Sequence, residues 1–269
     1  PGGRLIGIDQ DPEAIANARS VLAPFGEQVE LVRENFANTG EVLSRLGIGG
    51  ADGILLDLGL SLNQLENSGR GFSFQREEPL DMRMDPRTAE TAADLIGRLE
   101  EGDLERIFRD YGEERHARAI ARRLAVERRR RPIRTSAELA RIVSAAVPRA
   151  AAGRRRIHPA TRVFMALRIA VNRELERLES FLDALPGLLA PGGRVCILSF
   201  HSLEDRMVKQ RFKSLAQEPR RDPWPGEPAT QPGGLLTLLT RRVVRPGPEE
   251  GAQHPMARST RLRAAERLR

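Results

Sequence analysis

Three apolar segments, each ending in an ionisable side chain, are the feature that most limits the folds open to this chain. They are RLIGID at 4–9, ADGILLD at 51–57 and GGRVCILSFH at 192–201. Helical spacing follows the first in DPEAIANARSVLAPFG, and QVELVREN adds another strand pattern. Strands that alternate with helices predict an α/β fold with a parallel sheet, whose site lies at the carboxyl ends of the strands.

The residues at those strand ends are the first candidates for a functional site. Asp9, Phe36, Asp57 and His201 all fall there, and we expect them to form one rim. A carboxylate at the place of Asp9 is typical of folds that hold the ribose hydroxyls of a nucleotide-like cofactor. A cap or solvated-turn role suits Asp11 better. The glycine-rich loop of dinucleotide-binding folds, which comes about 20 residues before such an acid, is absent from the residues before Asp9.

From about Thr88 the pattern changes to helices without strands. Helical spacing continues to Gly112 and again up to Pro132, and Thr135 with Glu138 forms a capping-box pattern for the next helix. The predicted division is a core in two parts, 1–87 and 161–269, around a helical insertion at 88–160.

The second part of the core begins with an apolar stripe at helical spacing. The stripe predicts one long helix and consists of Val163, Leu167, Val171, Leu175, Leu178 and Leu182. PGG at 191–193 is predicted to turn the chain back into the third strand. A final strand pair is predicted after the Pro- and Gly-rich segment RDPWPGEPATQPGG.

Charge is unevenly distributed along the chain. Residues 1–105 carry 9 Arg and 20 acidic residues, a net −11, whereas 106–177 carry 20 Arg and 7 acidic residues, a net +13. A basic segment at 106–177 that follows an acidic segment at 1–105 predicts that the basic segment faces a polyanion. The alternative is that these arginines are solvated helix faces in an Arg-rich protein. A general preference for Arg explains why Arg stands in place of Lys, but it does not explain why the positive charge is concentrated at 106–177.

Cysteine content and hydropathy exclude other classes of protein. Cys196 is the only cysteine and lies inside an apolar run, so it is expected to be core, and a disulfide scaffold is excluded. No apolar run reaches the length of a membrane span. We therefore expect a soluble, cytoplasmic protein.

Five longer segments carry a resemblance to a known family. They are DGILLDLGLSLNQLENSGRGFSFQREEPLDMRMDP, YGEERHARAIA, HPATRVFMALRIAVNREL, APGGRVCILSFHSLEDRMVK and ARSTRLRAAER. In this order they resemble the ribosomal RNA small-subunit methyltransferase H family, also called MraW. The resemblance implies a Rossmann-like fold with a helical insertion and S-adenosyl-L-methionine as cofactor. It also implies methylation of the exocyclic N4 of a cytidine in small-subunit (16S) ribosomal RNA, free or in the assembling subunit.

The resemblance also implies roles for single residues. Asp9 would hold the ribose hydroxyls, Phe36 would lie against the adenine with core packing as its alternative, and Gln64 would contact the cofactor. Asn63 stands before Gln64 where relatives usually have Pro. Asp57 would lie where cofactor and acceptor meet, and is the first candidate to orient the amine because no (D/N/S)PP(Y/F/W) motif is present. The next candidates are His201, as a proton acceptor or in a structural role, and Ser202.

Contacts to RNA are predicted around the segment HPATRVFMALR. His158 stands at a helix start, Arg162 could meet a phosphate, and Phe164 could stack on a base, although we favour a core position for Phe164. Glu204 and Asp205 are expected to be first-turn helix charges. The remaining candidates would contact backbone phosphates, with a solvated loop as the alternative: Arg154, Arg155 and Arg156.

One part of the family pattern is missing from this sequence. Members carry a DGTxGxGGH-type stretch before the strand that ends in Asp9, and we expect that the sequence is truncated there. A central strand would then be absent, leaving open strand edges and part of the cofactor unsupported. Two other functions stay open: an NAD-dependent oxidoreductase, and a non-catalytic ribosome-assembly factor that binds RNA through the insertion.

Overall fold

The computed structural model describes residues 2–148, 158–216 and 234–268. The strands are Leu5–Asp9 (β1), Val29–Arg33 (β2), Ala51–Asp57 (β3), Leu189–Ser199 (β4), Leu236–Leu238 (β5) and Arg261–Arg267 (β6). The helices are Pro12–Leu22 (α1), Thr39–Arg45 (α2), Leu62–Glu66 (α3), Ala92–Arg98 (α4), Glu101–Asp110 (α5), Ala117–Arg130 (α6), Ser136–Ala146 (α7), Ala160–Asn172 (α8), Glu174–Leu188 (α9), Ser202–Ala216 (α10) and Pro248–Gln253 (α11). Within these ranges no helix is both long and apolar enough to cross a membrane.

The chain divides into two compact units. The sheet unit comprises 1–9, 17–59 and 175–269, and the helical unit comprises 10–16 and 60–174, as far as these ranges are described. Each unit has its own hydrophobic core. The predicted insertion, 88–160, falls within the helical unit, which also takes in the segment before it because Phe72, Leu80 and Met82 are buried in the helical core.

The sheet unit confirms the α/β fold class predicted from the sequence. β1 pairs in parallel with β2, and a second sheet has the order β3-β4-β6-β5, with β3 parallel to β4 and β6 antiparallel to both of its neighbours. In the described ranges β2 is the only strand paired with β1. β3 pairs with β4 along one edge and has no partner strand along its other edge there. Leu55 on β3 is 70% exposed.

The prediction of one long helix after residue 160 is wrong. Arg173 adopts the left-handed conformation, with φ of 51° and ψ of 40°, and separates α8 from α9. The apolar stripe continues across this break because it serves two cores. Val163 and Leu167 are buried in the helical core, whereas Leu178 and Leu182 are buried in the core of the sheet unit.

The prediction that PGG turns the chain before the third strand segment is also wrong. β4 begins at Leu189, which pairs with Ala51, and the register shifts between Ala51 and Gly53. Gly192 has a φ of 78°, and a β-carbon at Gly193 would lie 2.6 Å from the carbonyl oxygen of Ala51. The glycines therefore form an irregularity inside the strand, where the two backbones approach closely.

Gly112, the predicted helix end, lies where its own segment of backbone closely approaches that of α8. A β-carbon there would lie 2.6 Å from the carbonyl oxygen of Phe108 and 2.8 Å from that of Arg162. We expect Gly112→Ala to lower the free energy of unfolding by about 1–3 kcal/mol, because neither backbone can move aside easily. Urea denaturation followed by circular dichroism measures this.

The matched control for this substitution is Gly102→Ala in α5, where a β-carbon would meet no atom within 4 Å. Alanine has the higher helix propensity, so this change should be neutral or should stabilise by at most about 1 kcal/mol. Equal destabilisation by both substitutions would contradict the backbone contact as the cause.

Candidate functional site

Asp9 and Phe36 follow the two paired strands β1 and β2. Asp9 is the exposed last residue of β1, opposite Arg33. Phe36 is half-buried and meets Phe181 edge to face, with 5.9 Å between the ring centroids. Asn35 holds the turn in which Phe36 lies, since its side-chain oxygen accepts a hydrogen bond from the next amide but one, at 2.9 Å. Phe36 thus packs on the core of the sheet unit while part of its ring stays accessible.

Asp57 is the exposed last residue of β3, opposite Leu198 of the parallel strand β4. Its carboxyl group is nevertheless partly shielded from water, and this desolvation, together with the negative charge of Glu204, raises the pKa of Asp57 above its ordinary value. A carboxylate with a raised pKa is a better proton acceptor than an ordinary surface aspartate. Asp57 therefore has the electrostatic setting expected of a group that binds a developing positive charge.

His201 and Glu204 are buried together where α10 begins. Glu204 reaches back to accept hydrogen bonds from the amides of Phe200 and His201, at 2.9 and 3.3 Å. His201 Nδ1 accepts from the Glu204 amide at 3.5 Å, and His201 Nε2 lies 3.1 Å from Glu204 Oε1 without the geometry of a hydrogen bond. Glu204 is thus the first-turn charge expected from the sequence. Asp205 beside it forms an ion pair with Arg263 at 2.7 Å.

The structure brings the predicted strand-end residues together as two pairs. Asp57 and His201 follow the neighbouring parallel strands β3 and β4, whereas Asp9 and Phe36 follow β1 and β2. No strand pairing in the described ranges joins the two sheets. The single rim of four residues therefore stays a prediction. Ser202, the half-buried first residue of α10, follows His201 directly.

Gln64 is buried in the helical unit, and both ends of its amide are engaged. Its side-chain oxygen accepts from the Ser61 amide at 3.0 Å, and the Ser61 hydroxyl accepts from the Gln64 amide at 3.1 Å, which forms a capping box for α3. Gln64 Nε2 donates to Asp11 Oδ2 at 2.7 Å. These bonds fix the loop before α3, and direct contact of Gln64 with a cofactor stays a prediction.

Asp11 is the residue whose importance the sequence did not reveal. It caps α1, as expected, by accepting from the Glu13 amide at 3.0 Å, but it is only 1% exposed. The guanidinium of Arg70 donates to Asp11 Oδ2 at 2.6 Å and also to the carbonyl oxygens of Arg83 and Met84, each at 3.0 Å. A buried ion pair therefore ties the start of α1 to the segment after α3.

The residues predicted to contact RNA have specific places in the helical unit. His158 is exposed and stacks on Phe74, with 4.5 Å between centroids, and its Nδ1 accepts from the Ala160 amide at 3.2 Å. Arg162 is half-buried and donates to the carbonyl oxygen of Glu113 at 2.7 Å. Contacts within the helical unit thus hold both side chains near the start of α8.

Two further predictions about this segment have different outcomes. The core position favoured for Phe164 is confirmed, since it is buried in the helical core and meets Phe74 edge to face at 5.3 Å. Arg154, Arg155 and Arg156 lie outside the described residues. Their contact with phosphates stays a prediction.

Comparison with known proteins gives consistent results over the whole chain. A family model described as the MraW methylase family matches residues 1–268. The chain is similar to the ribosomal RNA small subunit methyltransferase H of Desulfosudis oleivorans, with 55% identity over 270 residues that cover 100% of this chain and 86% of that protein. It is also similar to the proteins of the same name from Geobacter sulfurreducens (50% over 271 residues, 100% and 86% covered) and Syntrophobacter fumaroxidans (49% over 270 residues, 99% and 83% covered).

Proposed function

The chain belongs to the MraW methylase family and has its Rossmann-like methyltransferase fold, and from that membership we propose its activity. It transfers a methyl group from S-adenosylmethionine to the exocyclic N4 of a cytidine in small-subunit (16S) ribosomal RNA, in the cytoplasm. The observation that carries this proposal is the match of the MraW methylase family model over residues 1–268, and Asp57 at the end of a parallel strand is the carboxylate that would act on the acceptor. Membership in a methylase family sets aside the NAD-dependent oxidoreductase.

The side chains at the ends of β1 and β2 fit a nucleoside. The exposed Asp9 carboxylate can accept hydrogen bonds from two ribose hydroxyls, and the accessible part of the Phe36 ring can lie against a purine. S-adenosylmethionine, when bound, supplies an activated methyl group on its sulfonium. Asp9 and Phe36 would hold its nucleoside part, with Asp57 nearest the acceptor.

The acceptor determines what Asp57 must do. The lone pair of a cytosine amino group is delocalised into the ring, so this nitrogen is a poor nucleophile. The Asp57 carboxylate would accept a hydrogen bond from the amine, orient its lone pair and stabilise the positive charge that develops on nitrogen. His201, buried against Glu204, fits a positioning role for the loop after β4 better than that of a free base.

Methyl transfer to ribosomal RNA tests the proposal against the non-catalytic alternative. The assay gives radiolabelled S-adenosylmethionine to small subunits and to naked 16S RNA, and identifies the product by mass spectrometry of nucleosides. N4-methylated cytidine is the expected product. RNA binding without methyl transfer would indicate the assembly factor.

Asp9→Ala should chiefly weaken cofactor binding. Loss of a charge-assisted hydrogen bond costs about 1.5–3 kcal/mol, which corresponds to a Kd for S-adenosylmethionine raised roughly 10- to 100-fold. Isothermal titration calorimetry measures this Kd. Asp52→Ala, which removes an exposed carboxylate near the start of β3, is the control and should leave the Kd unchanged. An unaltered Kd in Asp9→Ala would remove Asp9 from the cofactor site.

A further inference from the structure

Four arginines from three segments of the helical unit converge on one cleft. Arg98 ends α4, Arg128 and Arg129 lie in the last turn of α6, and Arg134 follows that helix. The cleft encloses about 730 Å³. Its other lining residues are two acids and a set of small or aliphatic side chains, namely Glu90, Asp94, Ala93, Ile96, Gly97, Pro132 and Ile133.

The two acids are already engaged within the fold. The Glu90 carboxylate accepts hydrogen bonds from Nε and Nη2 of Arg98, at 2.6 and 3.0 Å. Asp94 accepts from the hydroxyl and the amide of Thr91, at 2.6 and 3.0 Å. Arg129 and Arg134 are exposed, and neither guanidinium has an ion pair or hydrogen bond within 2–148, 158–216 and 234–268. The cleft thus presents two uncompensated positive charges.

The walls of the cleft are held in place by contacts beneath it. Arg128 donates to the carbonyl oxygen of Ile96 at 2.5 Å and also to that of Leu99, which ties the end of α6 to the end of α4. Ile96 and Ile133 are buried in the helical core. Because the backbone that carries Arg129 and Arg134 is fixed, little ordering of the chain is needed when an anion binds.

We propose that this cleft binds the sugar-phosphate backbone of the RNA substrate, an inference that rests on the proposed function. Arginine binds phosphate oxygens in pairs of hydrogen bonds. The lining contains no aromatic side chain on which a base could stack, so contact is with phosphates and carries no sequence information. Helix C-termini favour arginine by themselves, but Arg134 lies beyond the helix and that preference does not account for it.

The test is the salt dependence of RNA binding by the chain. Arg129→Ala combined with Arg134→Ala should reduce the slope of log K against log salt by about 2, since each lost phosphate contact removes about one released counterion. Fluorescence anisotropy with a labelled 16S RNA fragment measures the slope. Replacing both residues by Lys should retain it, because the charges remain.

The matched control is Arg115→Ala combined with Arg118→Ala. These two arginines are exposed and without a partner in the described ranges. The control substitutions remove the same amount of charge at the other end of α6. Arg118 is roughly 16 Å along the helix from Arg129. The control should leave the slope unchanged. An equal loss in both double variants, or in neither, overturns the cleft as the binding surface.

Two further outcomes separate this inference from others. Displacement of the RNA by polyglutamate at equal charge concentration would point to an acidic protein surface and overturn the RNA assignment. If the wild type transfers methyl groups but the Arg129/Arg134 variant keeps an unaltered slope, the cleft is not the RNA-binding surface and the proposed function stands. A reduced slope in that variant, with no methyl transfer by the wild type, overturns the proposed function and retains the cleft.

Discussion

Asp57→Ala is expected to lower the maximal rate of methyl transfer about 100-fold or more at saturating S-adenosylmethionine, the range found for a lost proton acceptor. The carboxylate acts on the acceptor amine, and that interaction strengthens only as charge develops on nitrogen. The loss should therefore appear in kcat. Steady-state kinetics, with cofactor and RNA varied separately, measures it.

Asp52→Ala serves again as the control, because Asp52 stands near the opposite end of the same strand and is exposed. It should leave kcat unchanged. If Asp57→Ala raised only the concentration of cofactor required and left kcat intact, the orienting role of Asp57 would be wrong and a purely cofactor-binding role would replace it.

The pH dependence of kcat follows from the same carboxylate. Partial burial and the charge of Glu204 raise the pKa of Asp57, and only the deprotonated form carries the negative charge that stabilises the positive charge developing on nitrogen. Activity should therefore fall with decreasing pH at a higher pH than for an ordinary aspartate. Glu204→Gln removes the neighbouring charge, lowers the pKa of Asp57 and should move this acid limb to lower pH. An acid limb that Glu204→Gln does not move would belong to another group.

The positions of Asp57 and His201 could be predicted because the rule behind them is local. An apolar run marks each strand, and parallel strands bring their carboxyl ends to one edge, as the pairing of Asp57 with Leu198 shows. The break at Arg173 could not be predicted in this way. The apolar stripe is continuous in sequence, and spacing alone does not reveal that Val171 is buried in one core and Leu178 in another.

The partners of Asp11 were hidden for a related reason. The sequence DPE indicates a helix cap, which requires only neighbouring residues. The burial of Asp11 depends on Gln64 and Arg70, which lie 53 and 59 residues further along the chain. No spacing rule links positions so far apart. A local pattern can therefore identify the cap but not the ion pair that it completes.

Asp11→Ala is expected to lower the free energy of unfolding by about 3–5 kcal/mol, the cost of leaving one member of a buried ion pair without its partner. Arg70 would keep its bonds to two carbonyl oxygens, but its charge would lose the carboxylate at 2.6 Å. Its Nε is already buried without a hydrogen-bond partner in the described residues. Urea denaturation of the chain, followed by circular dichroism, measures the loss.

Glu13 provides the matched control for this substitution, because its carboxylate lies 3.6 Å from the same Arg70 nitrogen but is 49% exposed. Glu13→Ala should cost at most about 1 kcal/mol, since water screens an exposed pair. Equal costs for Glu13→Ala and Asp11→Ala would show that Arg70 is solvated. Asp11→Ala combined with Arg70→Met should regain much of the lost stability, because no unpaired charge stays buried.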